Sequence, residues 1–137
     1  MLLSYGFICG ASPHLSTRKI ELLEERLHAL LTSLISLVEV DENWYISQNP
    51  DVERAIREGL FTSAKQHYVK SGYFEDRMPH DIKVNEDWYL KTYPDVANAI
   101  QLGVLVSGAQ HFARDGFREG RLPYDGFSLI TLNSMAA

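Results

Sequence analysis

The feature that most constrains the fold of this chain is a tandem repeat with a period of 44 residues. Residues 40–80 align with residues 84–124 without a gap, and 17 of the 41 aligned positions are identical. Such a period is typical of a helical repeat unit, which buries its apolar face by stacking on its neighbour. Two copies are few for a repeat array, because about three are usually needed to bury a continuous core. We therefore expect another element, or a second chain, to cover an apolar face.

Proline and glycine divide each copy into three short predicted helices. In the two copies, the predicted N-caps of the first helix are Asp41 and Asn85, and the predicted starts of the second helix are Pro50 and Pro94. The second helix is predicted to end at Gly59 and Gly103, and the third at Gly72 and Gly116. Proline suits the first position of a helix because its missing N–H costs nothing there, and glycine readily adopts the left-handed conformation at a helix end. The third helix is predicted over residues 63–71 and 107–115. No segment shows the alternation of a half-buried strand.

A longer helix is predicted over residues 16–39, with Ser16 or Thr17 as its N-cap. Aliphatic residues occupy heptad a and d positions at Ile20, Leu23, Leu27, Leu30, Leu34 and Leu37. This spacing predicts an oligomerisation helix in a homo-oligomeric coiled coil. The alternative is that the helix packs only on its own repeats. The apolar stripe widens at Leu31, Ile35 and Val38, which indicates a second contact with the repeats.

Together these patterns predict an all-α chain, with a long N-terminal coiled-coil-like helix followed by two tandem three-helix repeats. The predicted segments are a flexible lead-in over 1–15, the heptad helix over 16–39, the repeats over 40–83 and 84–127, and a tail over 128–137. A net charge of −5 without a basic cluster argues against nucleic acid as a partner. No stretch approaches the ~20 apolar residues that span a bilayer, so no membrane insertion is expected. With one cysteine, Cys9, a cytoplasmic location is the simplest expectation.

The repeat also resembles a known bacterial sequence pattern. The residues that carry the resemblance are Trp44-Tyr45, Asn49-Pro50-Asp51-Val52, Gly59, His67-Tyr68, Gly72 and Glu75-Asp76-Arg77-Met78-Pro79 in the first copy, and Trp88-Tyr89-Leu90, Tyr93-Pro94-Asp95-Val96, Gly103, His111-Phe112, Gly116 and Glu119-Gly120-Arg121-Leu122-Pro123 in the second. They resemble a repeat of the form WYL…YPDV…G…HF…G…EGR.P, similar to segments that accompany glycosyltransferases and other proteins of exopolysaccharide and capsule production. The resemblance covers residues 40–124 and implies an accessory module rather than a catalytic domain. The first copy departs from the pattern at Asp76, where the pattern has glycine.

Repeated polar and aromatic side chains are the candidate ligand or partner contacts. They are Trp44, Tyr45, His67, Arg77, Trp88, Tyr89, His111 and Arg121. Each type also has a structural interpretation: a core aromatic, a hydrogen-bonded imidazole, or an arginine in a salt bridge with Glu75 or Glu119. A residue present in both copies is explained more easily by repeat architecture than by one active site. The sequence therefore predicts no catalytic residue, no cofactor and no metal site.

Two functions from different classes remain open at this stage. The first is a non-enzymatic, oligomeric adaptor or regulatory protein that binds a protein partner of bacterial surface polysaccharide production; the resemblance implies the pathway. The second is a carbohydrate-binding module that contacts glycan through Trp, Tyr and Arg side chains. An enzyme that uses His67 or His111 as a general base is the least favoured of the interpretations.

Overall fold

The structure, a computed structural model, describes residues 21–131, and this part of the chain is helical without any strand. The predicted lead-in over 1–15, the predicted caps Ser16 and Thr17, and the heptad residue Ile20 lie outside the described residues, as does the tail beyond Thr131. Within the described part, no helix has the length and apolar character needed to cross a bilayer.

The first helix, α1, spans Glu24–Ile35. The prediction of a helix over 16–39 is wrong at both ends within the described range, because residues 21–23 are not helical and Leu37 follows the helix. At the start, Leu23 is extended and no side chain caps the helix. At the end, hydrogen bonds of the i to i+3 type, including that from the Val38 N–H to the Ile35 carbonyl at 2.9 Å, tighten the last turn. This turn brings Val38 into the core of the first repeat copy, where it is 1% exposed.

Equivalent helices follow at a spacing of 44 residues. They are α2 (Glu42–Gln48), α3 (Pro50–Arg57), α4 (Ala64–Lys70) and a 3-10 helix (Gly72–Glu75) in the first copy, then α5 (Glu86–Thr92), α6 (Pro94–Gln101), α7 (Gly108–His111) and a π-helical turn (Phe112–Gly116) in the second. The predicted caps are confirmed, since Asp41 and Asn85 accept the N–H groups of Trp44 and Trp88 at 2.9 and 3.1 Å. The prolines occupy the first helical positions, as predicted.

The glycines divide into two groups. Gly59 and Gly103 have φ of +77° and +72°, as the predicted left-handed helix ends require. The sequence also predicts Gly72 and Gly116 as helix ends. Gly116 ends the π-helical turn that continues α7, whereas Gly72 begins the 3-10 helix that follows α4. Neither has positive φ. Their role is to leave room for a tyrosine, as the site geometry shows below.

A glutamate in the first helix of each copy caps the third helix of the same copy. The carboxylate of Glu42 accepts the N–H groups of Ala64 and Lys65 at 2.8 and 3.1 Å. Glu86 accepts the N–H groups of Gly108 and Ala109 at 2.8 and 2.7 Å. These contacts satisfy amides that the helix itself leaves without a partner, and they place negative charge at the positive end of the helix dipole.

Each copy has its own apolar core. The buried residues are Ile35, Val38, Tyr45, Val52, Ala64 and Tyr68 in the first core, and Ile82, Tyr89, Val96, Leu105 and Phe112 in the second. Helix α1 supplies Ile35 to the first core, and the turn that follows the helix supplies Val38. Leu129, beyond the second copy, packs against both cores.

Candidate functional site

The two histidines of the repeats are buried partners of the two repeated tyrosines. The Tyr45 hydroxyl and Nδ1 of His67 share a hydrogen bond of 3.0 Å, and the Tyr89 hydroxyl and Nδ1 of His111 share one of 2.9 Å. Burial raises the pKa of Tyr45 to about 12, so its hydroxyl stays protonated and able to donate. Burial also lowers the pKa of His67, which favours a neutral imidazole as the acceptor. In the first copy, this buried hydrogen bond joins helix α2 to helix α4.

A glycine lies against each tyrosine hydroxyl. A Cβ atom at Gly72 would lie 2.1 Å from the hydroxyl oxygen of Tyr45, and one at Gly116 would lie 2.4 Å from that of Tyr89. No side chain larger than hydrogen fits at these distances without displacing the tyrosine. The repeated glycine therefore belongs to the same internal arrangement as the Tyr–His pair.

The repeated arginines are held by carboxylates of their own copy. Arg77 donates two hydrogen bonds to Asp51, at 3.0 and 2.7 Å, and one to Glu75 at 2.6 Å. Arg121 has the same contacts with Asp95 and Glu119, at 3.0, 2.7 and 2.7 Å. The hydrogen bonds from Arg77 hold the pKa of Asp51 below its ordinary value. This bidentate geometry uses the planar fork of the guanidinium and ties the closing turn to the helix that begins at proline.

The residue that precedes the proline differs between the copies, being Asn49 in the first and Tyr93 in the second, and each contacts the arginine of its own copy. Asn49 accepts a fourth hydrogen bond from Arg77 through its side-chain oxygen at 2.9 Å. The equivalent Tyr93 instead lies under the guanidinium of Arg121, 4.9 Å from its ring centre, and its hydroxyl accepts the Leu122 N–H at 2.8 Å. An amide contact in one copy is thus replaced by a cation–π contact in the other. Both solutions keep the arginine in place.

Both tryptophans are partly buried and pack against the core of their own copy. Trp88 also lines an open cleft together with Lys83, Val84, Asn85, Tyr124 and Asp125. Tyr124 is 41% exposed. Sequence reasoning missed the four polar or aromatic neighbours of Trp88 in this cleft. The signal that could have found Tyr124 is that its counterpart in the first copy is His80, so the repeat architecture does not fix the residue type.

Of the predicted heptad residues in the described range, Leu27, Leu30 and Leu34 lie on α1, while Leu23 precedes the helix and Leu37 follows it. Leu23, Leu27, Leu34 and Leu37, called the leucine face below, are between 40% and 56% exposed, whereas Leu30 is half-buried. The widened part of the stripe lies on the other side, where Ile35 and Val38 are buried in the first core and Leu31 packs against it. His28 of α1 stacks on Phe74 of the first copy, with ring centres 4.3 Å apart.

A second exposed apolar surface lies on the loop between α6 and α7. Leu102, Val104 and Val106, called the apolar loop below, are between 69% and 80% exposed. The first and last correspond to Glu58 and Thr62 of the first copy, which are polar. The second copy therefore exposes more apolar surface at this loop than the first.

Within residues 21–131, no group of three or more His, Cys, Asp or Glu side chains is placed to hold a metal ion. Comparison of the chain with protein-family models, with curated proteins and with solved structures finds no match.

Proposed function

We propose that this chain is a non-enzymatic adaptor of bacterial surface polysaccharide production, and that it self-associates through the leucine face and binds a protein partner. The observation that carries the proposal is the division of α1 into two apolar sides. One side packs on the first copy, and the other exposes Leu27 and Leu34 to solvent, with the exposed Leu23 just before the helix and Leu37 just after it. Exposed leucines in this arrangement are energetically costly unless another surface covers them.

A second copy of the chain is the occupant that this spacing favours. Leucines that step by three and four residues form a seam that fits the same seam of another helix. Helix α1 alone has 12 residues, which is short for an isolated coiled coil. Its packing on the first copy holds it in helical form, so that the seam is presented without the full cost of ordering a peptide.

The contacts of the repeated polar side chains support a non-enzymatic role in this proposal. His67, Arg77 and their counterparts in the second copy are engaged with tyrosine or carboxylate side chains of the same copy. The apolar loop supplies a separate surface for a protein partner, since exposed apolar patches on a small protein commonly mark interaction sites. The polysaccharide pathway comes from the sequence resemblance described above.

The decisive experiment is the solution mass of the full chain by light scattering, compared with that of the double variant Leu27→Lys/Leu34→Lys. We expect a dimer or larger at concentrations of about 100 µM for the wild type and a monomer for the variant, because buried lysine charges oppose association. The matched control is Asn98→Lys/Gln101→Lys, which adds the same charge to exposed positions of α6 and should leave the mass unchanged. A monomeric wild type would overturn the proposed self-association.

The pathway is tested separately in the source organism. Loss of the chain should lower the yield of surface polysaccharide, and the wild-type chain should restore it. The Leu27→Lys/Leu34→Lys variant should restore it poorly, whereas the control variant should restore it fully. Unchanged polysaccharide yield on loss of the chain would contradict the pathway and leave the solution-mass result standing by itself.

A further inference from the structure

Each copy of the repeat forms an open cleft at the same place. The cleft lies between the residues just before the first helix and the residues that follow the closing turn. The first cleft, of about 400 Å³, is lined by Glu39, Val40, Asp41, His80 and Asp81. The second cleft, of about 490 Å³, is lined by Lys83, Val84, Asn85, Trp88, Tyr124 and Asp125. Apart from Trp88, every lining residue of the second cleft is 44 positions beyond a lining residue of the first.

The two clefts have the same framework but different chemistry. Asp41 and Asn85 both cap the helix that follows, so the change from carboxylate to amide is not required by the cap. The change from His80 to Tyr124 introduces a larger ring, and Glu39 becomes a lysine in the second copy. The first cleft is therefore acidic, whereas the second combines two aromatic rings with an amide, a carboxylate and an ammonium group. Because one framework supports both sets, the second set is explained better by a ligand than by the fold.

The second set fits a sugar. A hexopyranose with equatorial hydroxyls has an apolar C–H face, which packs on aromatic rings, and a rim of hydroxyls that donate and accept hydrogen bonds. Asn85 offers its side-chain NH2 group, because its oxygen already accepts the Trp88 N–H. Asp125 offers an acceptor on that rim, and Lys83, which also pairs with Asp81, offers a donor. An apolar peptide segment would use the rings but would make no hydrogen bonds to these polar groups.

Both rings of the second cleft are held before any ligand binds. Trp88 packs against the second core and meets Tyr93 edge to face, with ring centres 6.2 Å apart. Tyr124 meets Phe127 in the same way at 5.4 Å. A ring that is already ordered loses little freedom on binding, so a shallow site can still bind a ligand. We propose that the second cleft binds a neutral chain of hexopyranoses with equatorial hydroxyls, packed against Trp88 and Tyr124, with Asn85 and Asp125 as hydroxyl partners.

The test is a fluorescence titration of the full chain carrying Trp44→Phe, in which Trp88 is the remaining tryptophan. The probes are cellohexaose, laminarihexaose and chitohexaose. We expect a saturable change in Trp88 emission with at least one probe, at a Kd on the order of 0.1–1 mM, as suits a shallow site with few contacts. No saturable change with any of the three probes would overturn the proposal.

Residues of the first copy supply matched variants. Tyr124→His and Asn85→Asp place the first cleft's residues on the second framework, which that framework accepts in the first copy. Each should weaken binding about fivefold or more, because the larger phenol ring or the side-chain amide is lost. The control His80→Tyr, in the first cleft, should leave the affinity unchanged. Equal affinity in the wild type and in both second-cleft variants would also overturn the proposal. The outcome is independent of the leucine face, so it is distinguishable from failure of the proposed self-association.

Discussion

At the residue scale, Tyr68 differs from its counterpart in the second copy by one hydroxyl. The Tyr68 side chain is fully buried, its hydroxyl has no hydrogen-bond partner among the described residues, and the equivalent residue is Phe112. Burying a hydroxyl without a partner costs free energy. We expect Tyr68→Phe to raise the free energy of unfolding by ~1 kcal/mol in urea denaturation.

The reverse change in the second copy is the matched control for this prediction. Phe112→Tyr should lower the free energy of unfolding by ~1–3 kcal/mol, because it buries a hydroxyl in the equivalent place. Destabilisation by Tyr68→Phe would contradict the argument and would mean that the hydroxyl contributes a favourable contact.

His67 should make the free energy of unfolding depend on pH. Burial lowers its pKa below the ordinary value of 6.5, so the unfolded chain binds a proton more readily than the folded chain. The neutral side chain therefore contributes fully above pH 6.5, and the stability falls as the pH drops below this value toward the folded-state pKa. We expect His67→Gln to reduce the loss of stability between about pH 7.5 and 5.5, measured by urea unfolding at each pH. The same loss in both proteins would contradict this assignment.

At the scale of the element, local signals were enough to predict most boundaries of the repeat helices. Asp41 caps, Pro50 starts a helix and Gly59 ends one, because each effect depends on the backbone within a few residues. The C-terminal end of α1 was predicted wrongly, because the heptad pattern continues to Leu37 whereas the helix ends at Ile35 and the next turn brings Val38 into the first core. A periodic apolar pattern marks a face but does not show which neighbour covers it.

Contacts between helices could not be predicted from the sequence for a related reason. The role of Gly72 depends on the Tyr45 hydroxyl, which reaches it from another helix. The cleft around Trp88 and Tyr124 depends on bringing together residues 36 positions apart in the chain. Comparison of the two copies draws attention to residues that they share, and the shared histidines and arginines are bonded within their own copy. The candidate ligand contacts of the second cleft include residues that differ from their counterparts in the first copy.

Glu42 gives an element-scale prediction, because it caps α4 from α2. Glu42→Ala should lower the free energy of unfolding by ~1–2 kcal/mol, since two helix N–H groups lose their partner. Hydrogen exchange should accelerate at the amides of Ala64 and Lys65, which donate to this carboxylate. The control is Glu53→Ala, which removes an exposed salt bridge with Arg57 and should change stability by less than ~0.5 kcal/mol. Equal effects of the two substitutions would show that the cap contributes nothing specific.

At the scale of the whole molecule, the segment over residues 127–130, where the second copy ends, connects the two cores. Leu129 packs against both, Ile130 packs against the first and Phe127 against the second. The chain thus returns from the end of the second copy to the first. Repeats that contact only their neighbours gain cooperativity from such interfaces, so this segment should determine whether the two copies unfold together.

The variant Leu129→Ala tests this coupling with one tryptophan in each copy. In the Trp88→Phe background Trp44 reports on the first copy, and in the Trp44→Phe background Trp88 reports on the second. We expect the two urea midpoints to coincide with Leu129 present and to separate in Leu129→Ala, together with a loss of ~1–2 kcal/mol from the removed apolar contacts. Leu60→Ala, at a leucine that is 68% exposed, should leave the midpoints together. Coincident midpoints in Leu129→Ala would mean that the copies are coupled mainly where Met78 and Ile82 enter the second core, because these residues precede the second copy and belong to its apolar cluster.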